Sequence, residues 1–503
     1  MDTIVEKYLN QYGVSAAAVN FMRATQRMHI NGRWVDGQSG TYLDVIEPST
    51  GGLLTRIPDA TDADIDAAVA AARAQFDGGA WSRLKPLERE RLLHKLADLL
   101  EAHAQELAEI ESVDSGKSLA IARAADLPGT IDCFRYFAGW PTKIHGRTVE
   151  PSFPGSYVAY TRKEPVGVVG VIIPWNFPIL TLAWKLAAAL AAGCTVVVKP
   201  AEWTSLSTLR FAQLAEQAGV PNGVINVVTG RGTVAGAALA RHPRVNKISF
   251  TGSTETGKIV GRSALDDMKR VTLELGGKSP VLVFPDVDLK KAAKNVADGV
   301  FFNSGQVCDG GTRAYIHKSI YKAFHQELAA YSDTLKVAPG LDPDCFMGPL
   351  ISAKQRDRVL GYIAKGREEG AEVAYCGKSC DGPGFFVPPM IFARCHNNMT
   401  IVREEIFGPV LVTAAFDSED EVVGLANDTK YGLAAAIYSN DLGLVHRLIP
   451  KLQAGSVYVN QHSTLDPAMP FGGYKQSGFG KDMGPEQLDC VMETKAVWIT
   501  LPS

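Results

Sequence analysis

No stretch of this chain is apolar for long enough to cross a bilayer; the longest such runs, Val166–Pro174 and Leu186–Cys194, fall well short of a spanning helix. An excess of one charge is also missing. Fifty-one basic and 54 acidic residues leave a formal charge of −3, which draws the chain neither to nucleic acid nor to anionic lipid. The first 26 residues mix charged and apolar side chains and lack the features of a secretion signal, so a soluble, cytoplasmic protein is expected. The eight cysteines are scattered, which argues for free thiols over a disulfide framework. Cys376, Cys380, Cys395 and His396 match no common zinc spacing, and no metal is expected. There is no internal repeat and no low-complexity tract.

What is present is ordinary globular material: 46% hydrophobic and 21% charged residues over 503 positions, enough for two or three domains. Thr61–Phe76 reads as an amphipathic helix capped by Thr61 with Asp64 three residues on. Pro86–Glu111 and Leu119–Trp140 read as long helices, the second broken near Pro128. Ser156–Lys163 reads as a strand. From Val166 onward, strands (Val166–Ile173, Cys194–Lys199, Val224–Val228, Lys247–Thr251, Val271–Leu275) alternate with helices (Ile179–Ala192, Ser205–Ala218, Val234–Arg241, Thr254–Arg262). That alternation predicts a parallel, doubly wound α/β sheet. A second α/β series follows a boundary near Gly276–Gly277: strand Pro280–Phe284, helix Leu289–Phe302, strand Arg313–His317 and helix Ile320–Leu335, then strands Val410–Phe416 and Gly455–Val459. Glu493–Thr500 closes the chain as a strand.

Several residues have the chemistry of a reaction centre. Cys308 lies among Gly305, Gly310 and Gly311, small residues that let a substrate approach a thiol; a buried structural cysteine is the alternative. Glu274 ends an apolar strand, where a desolvated carboxylate can act as a general base or simply hydrogen-bond the turn. Asn176 follows the end of a buried strand, where its amide can stabilise an oxyanion or cap the helix that carries Pro178. Two glycine-rich turns, Gly230-x-Gly232-x-x-x-Gly236 and Gly252-Ser253-Thr254-x-x-Gly257, follow strands and can hold a pyrophosphate.

Taken together, PWNFP at 174–178, VVVKPAE at 196–202, SFTGSTETG at 249–257, LELGGKSP at 273–280, GQVC at 305–308, EEIFGPV at 404–410 and PFGGYKQSGFG at 470–480 resemble the aldehyde dehydrogenase superfamily. The resemblance runs from about Met28 to Thr500. It implies a Rossmann-like NAD domain (1–143 and 165–275), an α/β catalytic domain (276–478) and a small β oligomerisation element (144–164 and 479–503). It implies a homodimer or homotetramer with NAD as cofactor. It further implies Cys308 as nucleophile, Glu274 as base, and Asn176 with the Cys308 N–H as oxyanion hole. Lys185 and Asp482 fall where a proton path is proposed in some members. On the cofactor side it implies Ile172, Pro174, Trp175, Lys199, Glu202, Gly232, Phe250, Gly252, Ser253, Leu275, Glu405 and Phe407. Glu202 favours a free ribose 2′-OH over a 2′-phosphate.

The implied substrate pocket is Phe177, Leu180, Trp184, Phe302, Val307, Asp309, Leu465 and Phe471; His462 either borders the pocket or, the favoured alternative, supports the nearby loop. These large apolar and aromatic side chains suit an aryl or medium-chain aldehyde, and the tail of the sequence most resembles the phenylacetaldehyde dehydrogenases. Asp309 departs from the small or apolar residue common after the nucleophile. Facing the thiol, it would raise the thiol's pKa and disfavour anionic aldehydes, which makes betaine aldehyde or an aminoaldehyde the alternative substrate. Glu274 speaks against a CoA-acylating enzyme, and the filled catalytic positions speak against a silent structural protein.

Overall fold

The computed structural model describes residues 1–502 and is built on two large sheets and a small one. The eight-stranded sheet runs in the order Gly478–Phe479, Arg270–Glu274, Lys247–Thr251, Val168–Ile172, Thr195–Lys199, Ile225–Val227, Met28–Ile30, Arg33–Val35. Its five central strands are parallel and its edge strands antiparallel. VVGVI at 168–172 and TVVVK at 195–199 are buried at every position, as expected of strands covered on both faces.

The chain enters the parallel part of this sheet in the middle, at Val168–Ile172, and steps outward twice. It then returns to lay Lys247–Thr251 on the other side of the first strand. The direction of winding therefore reverses beside Val168–Ile172, and a crevice opens there at the carboxyl ends of the strands. Pro174–Asn176 and Gly252–Ser253 leave the sheet at this point.

The seven-stranded sheet runs in the order Glu372–Cys376, Met390–Ala393, Val410–Phe416, Arg313–His317, Pro280–Val283, Ala434–Tyr438, Ser456–Val459, parallel except at its first edge. The third sheet pairs Met492–Thr500, Tyr157–Pro165 and Thr148–Val149 antiparallel. Among the described residues no helix is long and apolar enough to cross a membrane.

Local chemistry accounts for most element ends. The Asp64 carboxylate accepts the Thr61 N–H at 2.8 Å and starts helix Asp62–Gly78. The fully buried helix Pro178–Ala192 carries proline in its first turn and stops at Gly193 (φ +100°).

Two sequence expectations are corrected and a third, the break near Pro128, is met. Pro86–Glu111 is two helices, Pro86–Ala102 and Ala104–Ser115, because His103 leaves the helical region. Leu119–Trp140 breaks as a π-turn at Ala122–Asp126, before helix Leu127–Ala138. Pro128 has no N–H to return to the preceding turn, so the ladder loosens just upstream of it. The helix expected over Val234–Arg241 likewise opens as a π-turn at Gly232–Gly236.

Candidate active site

Where the two large sheets meet, one cavity of about 750 Å³ takes in the exits of the central parallel strands and the turn that carries Cys308. The eight-stranded sheet offers carboxyl ends: Pro174, Trp175 and Asn176 after one strand, Thr251, Gly252 and Ser253 after another, Glu274 and Leu275 after a third. The seven-stranded sheet offers the opposite ends. Cys308 lies just before strand Arg313–His317, and Glu405 and Phe407 lie just before Val410–Phe416.

The turn that presents Cys308 is strained. Helix Leu289–Phe301 ends, and Asn303, Ser304 and Gly305 then follow with φ of +48°, +57° and +72°. Each non-glycine residue in that region costs on the order of 1 kcal/mol or more, so the fold around it must compensate. Asn303 Nδ2 donates to the Asn176 carbonyl at 3.1 Å, Ser304 Oγ to the Gly348 carbonyl at 2.8 Å, and the Ile351 N–H to Gln306 Oε1 at 3.0 Å. The Asn176 side-chain amide donates to the Gln306 carbonyl at 2.9 Å, which fixes its orientation and leaves its second N–H. The exit from the Glu274 strand touches the same turn: a Cβ on Gly277 would sit 2.5 Å from the Cys308 carbonyl oxygen.

Cys308 is partly exposed to this cavity. Burial of its sulfur, and then the charges of Asp309, Glu405 and Glu274, push the thiol well above its usual range. Glu274 is 3% exposed and neither carboxylate oxygen has a hydrogen-bond partner. Burial and then Asp482 push its carboxyl well above the usual range, against the opposing charge of Lys185. A carboxylate so raised can take a proton near neutral pH. Lys185 does not line the cavity; its ammonium pairs with Asp482 at 2.7 Å behind Glu274 and reaches Ser249 Oγ at 3.4 Å.

One half of the cleft suits a dinucleotide. The Lys199 ammonium, 2% exposed, pairs with Glu202 at 3.0 Å. A Cβ on Gly232 would lie 3.8 Å from that ammonium, so the glycine turn passes over it with no side chain between. Burial works against the Glu202 carboxylate, but Lys199 holds its pKa below the usual range. Ser253 caps helix Thr254–Leu265 by accepting the Thr256 N–H at 3.2 Å, and Gly252 crosses the Phe250 ring, which a Cβ would meet at 2.6 Å. Ile172 and Phe250 support these turns from within the sheet. Glu405 accepts the Gly277 N–H at 3.1 Å, and burial pushes its carboxyl up to about 7. Phe407, in the left-handed region at φ +59°, meets the Trp175 ring edge-on at 5.2 Å. The 252–253 turn and its helix N-terminus line the cavity and fit a pyrophosphate; Lys199, Glu202 and Gly232 lie outside the cavity lining and form their own cluster of cation, carboxylate and bare glycine turn, which fits a ribose.

The other half is aromatic. Phe177 and Phe302 lie nearly parallel with centroids 6.3 Å apart, and Trp184 meets Phe471 at 5.3 Å. Leu180, Val307, Asp309 and Leu465 complete the pocket residues singled out from the sequence, and all eight line the cavity. The Asp309 carboxylate accepts Tyr458 Oη at 3.2 Å and Ser463 Oγ at 3.0 Å. His462 lies outside the lining and holds the Asp309 carbonyl at 2.8 Å.

Sequence reasoning missed the wall formed by Ala124, Ala125, Asp126, Pro128 and Gly129, and also Asp132, Asp466 and Met483. It missed Trp203, Lys354, Gln355 and Arg358 on the dinucleotide side as well. Pro128 was the one available signal, since a proline inside a helical pattern marks the loosened turn above it. Among the described residues no cluster of three or more histidine, cysteine or acidic side chains is placed to hold a metal.

The model of the aldehyde dehydrogenase family matches residues 34–497. The chain belongs to that family. A phenylacetaldehyde dehydrogenase of Pseudomonas fluorescens is 46% identical over 491 residues, 96% of this chain and 98% of the relative. An aldehyde dehydrogenase of Bacillus cereus, solved as an NAD+ complex, superposes with a TM-score of 0.95 at 44% identity, covering 97% of this chain and 99% of that one. The P. syringae indole-3-acetaldehyde dehydrogenase AldA, solved as a mutant with NAD+ and IAA, gives 0.93 at 40% identity over 96% and 98% of the two chains. Every cavity residue, from Ala124 to Met483, falls within the span that matches the aldehyde dehydrogenase model.

Proposed function

We propose that this chain oxidises aldehydes to carboxylates with NAD, and that its preferred substrate is an arylacetaldehyde such as phenylacetaldehyde. One observation carries the reading. Cys308 and the unpartnered Glu274 carboxylate share a single cavity with an aromatic chamber on one side and the 252–253 turn, Glu405 and Phe407 on the other. The Pseudomonas relative and AldA, both named for arylacetaldehydes, support the substrate class.

Lys199 and Glu202 would hold the adenosine ribose, the 252–253 turn the pyrophosphate, and Glu405 and Phe407 the nicotinamide end. When bound, the nicotinamide supplies the two-electron acceptor that takes the substrate carbon from the aldehyde to the acyl level. The chain's own groups do the rest. The Cys308 thiolate forms a C–S bond to the carbonyl carbon, and the oxygen that becomes an alkoxide is held by the Asn176 amide and the Cys308 N–H. The acyl group remains on sulfur as a thioester. Glu274 takes a proton from water, the hydroxyl adds to the acyl carbon, and the C–S bond breaks to return the thiolate.

A panel of aldehydes with NAD, followed by absorbance, tests the reading. Phenylacetaldehyde gives the highest kcat/KM; a panel led by acetaldehyde overturns the substrate class. The second reading, a cationic aldehyde such as betaine aldehyde or an aminoaldehyde, is favoured by Asp132, Asp309 and Asp466, all on the substrate side of the cavity. Betaine aldehyde at the head of the panel selects it. Added CoA yields no acyl-CoA product if Glu274 directs water to the thioester.

Eight free cysteines fit a reducing cytoplasm. The exposed apolar residues Val158, Trp498 and Ile499 on the three-stranded sheet support a homo-oligomer, which sedimentation of the purified protein tests.

A further inference from the structure

Behind the aromatic chamber lies an ion trio that the reaction above does not use. The Lys117 side chain is wholly buried. Its ammonium donates to Asp126 Oδ2, lies 3.6 Å from Glu111 Oε1, and sits 4.3 Å from the centroid of the Phe177 ring.

Each partner is tied to a piece of the substrate wall. Asp126 ends the π-turn whose residues 124–126 line the cavity, and Phe177 lines it directly. Glu111 accepts the Ile179 N–H at 3.4 Å, in the first turn of the helix that follows Asn176 and Phe177. The lysine is itself held at its backbone, where Ser112 Oγ donates to its carbonyl at 2.7 Å. Gly340 packs so closely there that a Cβ would meet that carbonyl at 2.4 Å.

A buried ion group of this kind adds little net stability, because desolvation offsets the attraction between the charges. What it does supply is fixed geometry: one cation that can be satisfied only when the π-turn, the Glu111 helix and the Phe177 ring are all in place. An ammonium on an aromatic face also holds that ring against rotation.

We propose that Lys117 is a positioning residue for the substrate wall, holding the Phe177 ring and the 122–126 turn in the shape that receives a bulky aldehyde tail. This rests on the reading of the cavity as an aldehyde site. Asn176 is anchored separately, by the Gln306 carbonyl and Asn303, so the chemistry at the carbonyl does not depend on Lys117.

The test is steady-state kinetics with NAD on phenylacetaldehyde, hexanal and acetaldehyde. The variants are Lys117→Met, the double variant Lys117→Met/Glu111→Gln, which leaves one fewer carboxylate stranded, and the charge-preserving Lys117→Arg. In Lys117→Met and the double variant, KM for the two bulky aldehydes rises about tenfold, while kcat and the acetaldehyde KM stay within about twofold. Lys117→Arg recovers part of the loss and serves as the folded variant if the others do not fold. In a Phe177→Leu background, Lys117→Met adds no further rise.

A uniform loss on all three aldehydes, or an unchanged KM for the bulky pair in any folded variant, overturns the proposal. The parent enzyme's own ranking of the aldehydes tests the substrate reading separately, since hexanal reads the wall even if phenylacetaldehyde is not preferred.

Discussion

The Tyr458 hydroxyl donates to the carboxylate of Asp309 at 3.2 Å, one residue from Cys308, and Ser463 donates to the same carboxylate oxygen at 3.0 Å. Two donors keep Asp309 in place, and its charge opposes ionisation of the neighbouring thiol. Asp309→Asn removes the charge and keeps the shape. The folded pKa of Cys308 is raised, so the thiolate form is favoured only as pH increases. Taking away one raising charge moves the thiol's titration down. In the pH profile of kcat/KM, the acidic limb of Asp309→Asn lies at lower pH than the parent's. A limb that stays in place or moves to higher pH shows that Asp309 does not act on the thiol.

Glu274 has no hydrogen-bond partner for either carboxylate oxygen and is pushed up chiefly by its burial. An unpaired buried carboxylate is costly to the fold and useful as a base. Glu274→Gln keeps the volume and cannot take a proton. Rapid mixing with aldehyde and NAD then gives a burst of one NADH per site, with steady turnover lower by about 10²–10⁴-fold. Cys308→Ala gives neither burst nor turnover. Normal steady turnover in Glu274→Gln removes the residue from the mechanism, and normal turnover in Cys308→Ala removes the mechanism itself.

On the proposed reading, cofactor choice follows from the Lys199–Glu202 pair, in which the carboxylate stands beside a buried ammonium at 3.0 Å. A carboxylate here accepts from a ribose 2′-OH and repels a 2′-phosphate. Glu202→Ser weakens NAD and frees Lys199 to meet the phosphate of NADP. The parent's preference for NAD, measured as a ratio of kcat/KM values, falls by on the order of tenfold, about 1.4 kcal/mol. A parent that already prefers NADP, or a ratio unmoved by the substitution, rejects this role for Glu202.

The eight-stranded sheet was legible because its strands are apolar on both faces and its helices follow at regular pitch. VVGVI, TVVVK and KISFT could be little else. The edge strands Met28–Ile30 and Arg33–Val35 were not legible, since three-residue strands carry no period. Ala434–Tyr438 was missed because AAAIY is as apolar as a helix turn; it is a strand through pairing with Val281–Val283. The rule that ligands gather at carboxyl ends of parallel strands pointed to Asn176, while Ser253 was read from its glycine-rich turn at a helix start and Glu274 from a carboxylate ending an apolar strand. The rule could not point to Cys308, Glu405 or Phe407, which stand at the amino ends of the other sheet; Cys308 was singled out by its flanking glycines and took its role as nucleophile from the resemblance, and Glu405 and Phe407 came from the resemblance alone. Asp126 and the 124–129 wall matched no motif, and the helical reading of Leu119–Trp140 with its break near Pro128 could not tell that a π-turn at Ala122–Asp126 would carry them to the cavity.

The strained turn before Cys308 yields the last expectation. Gly305 has φ +72°, and a Cβ there would lie 2.1 Å from the Gly408 carbonyl oxygen and 2.7 Å from the Pro409 nitrogen. Both contacts are backbone, at the entry to strand Val410–Phe416, so neither can rotate away. An alanine has to pay the left-handed strain and also push apart the Cys308 turn and the Phe407–Pro409 turn. Gly305→Ala therefore destabilises by about 2–4 kcal/mol and lowers turnover, because Cys308 and Phe407 are carried by the two segments forced apart. Gly78→Ala is the matched control: it ends helix Asp62–Gly78 with nothing within 4 Å of the added carbon, and is expected to be neutral or stabilising by a few tenths of a kcal/mol. Thermal melting and kcat on phenylacetaldehyde distinguish the two. A Gly305→Ala protein that melts and turns over like the parent means that the close contact between the two turns is absent in solution.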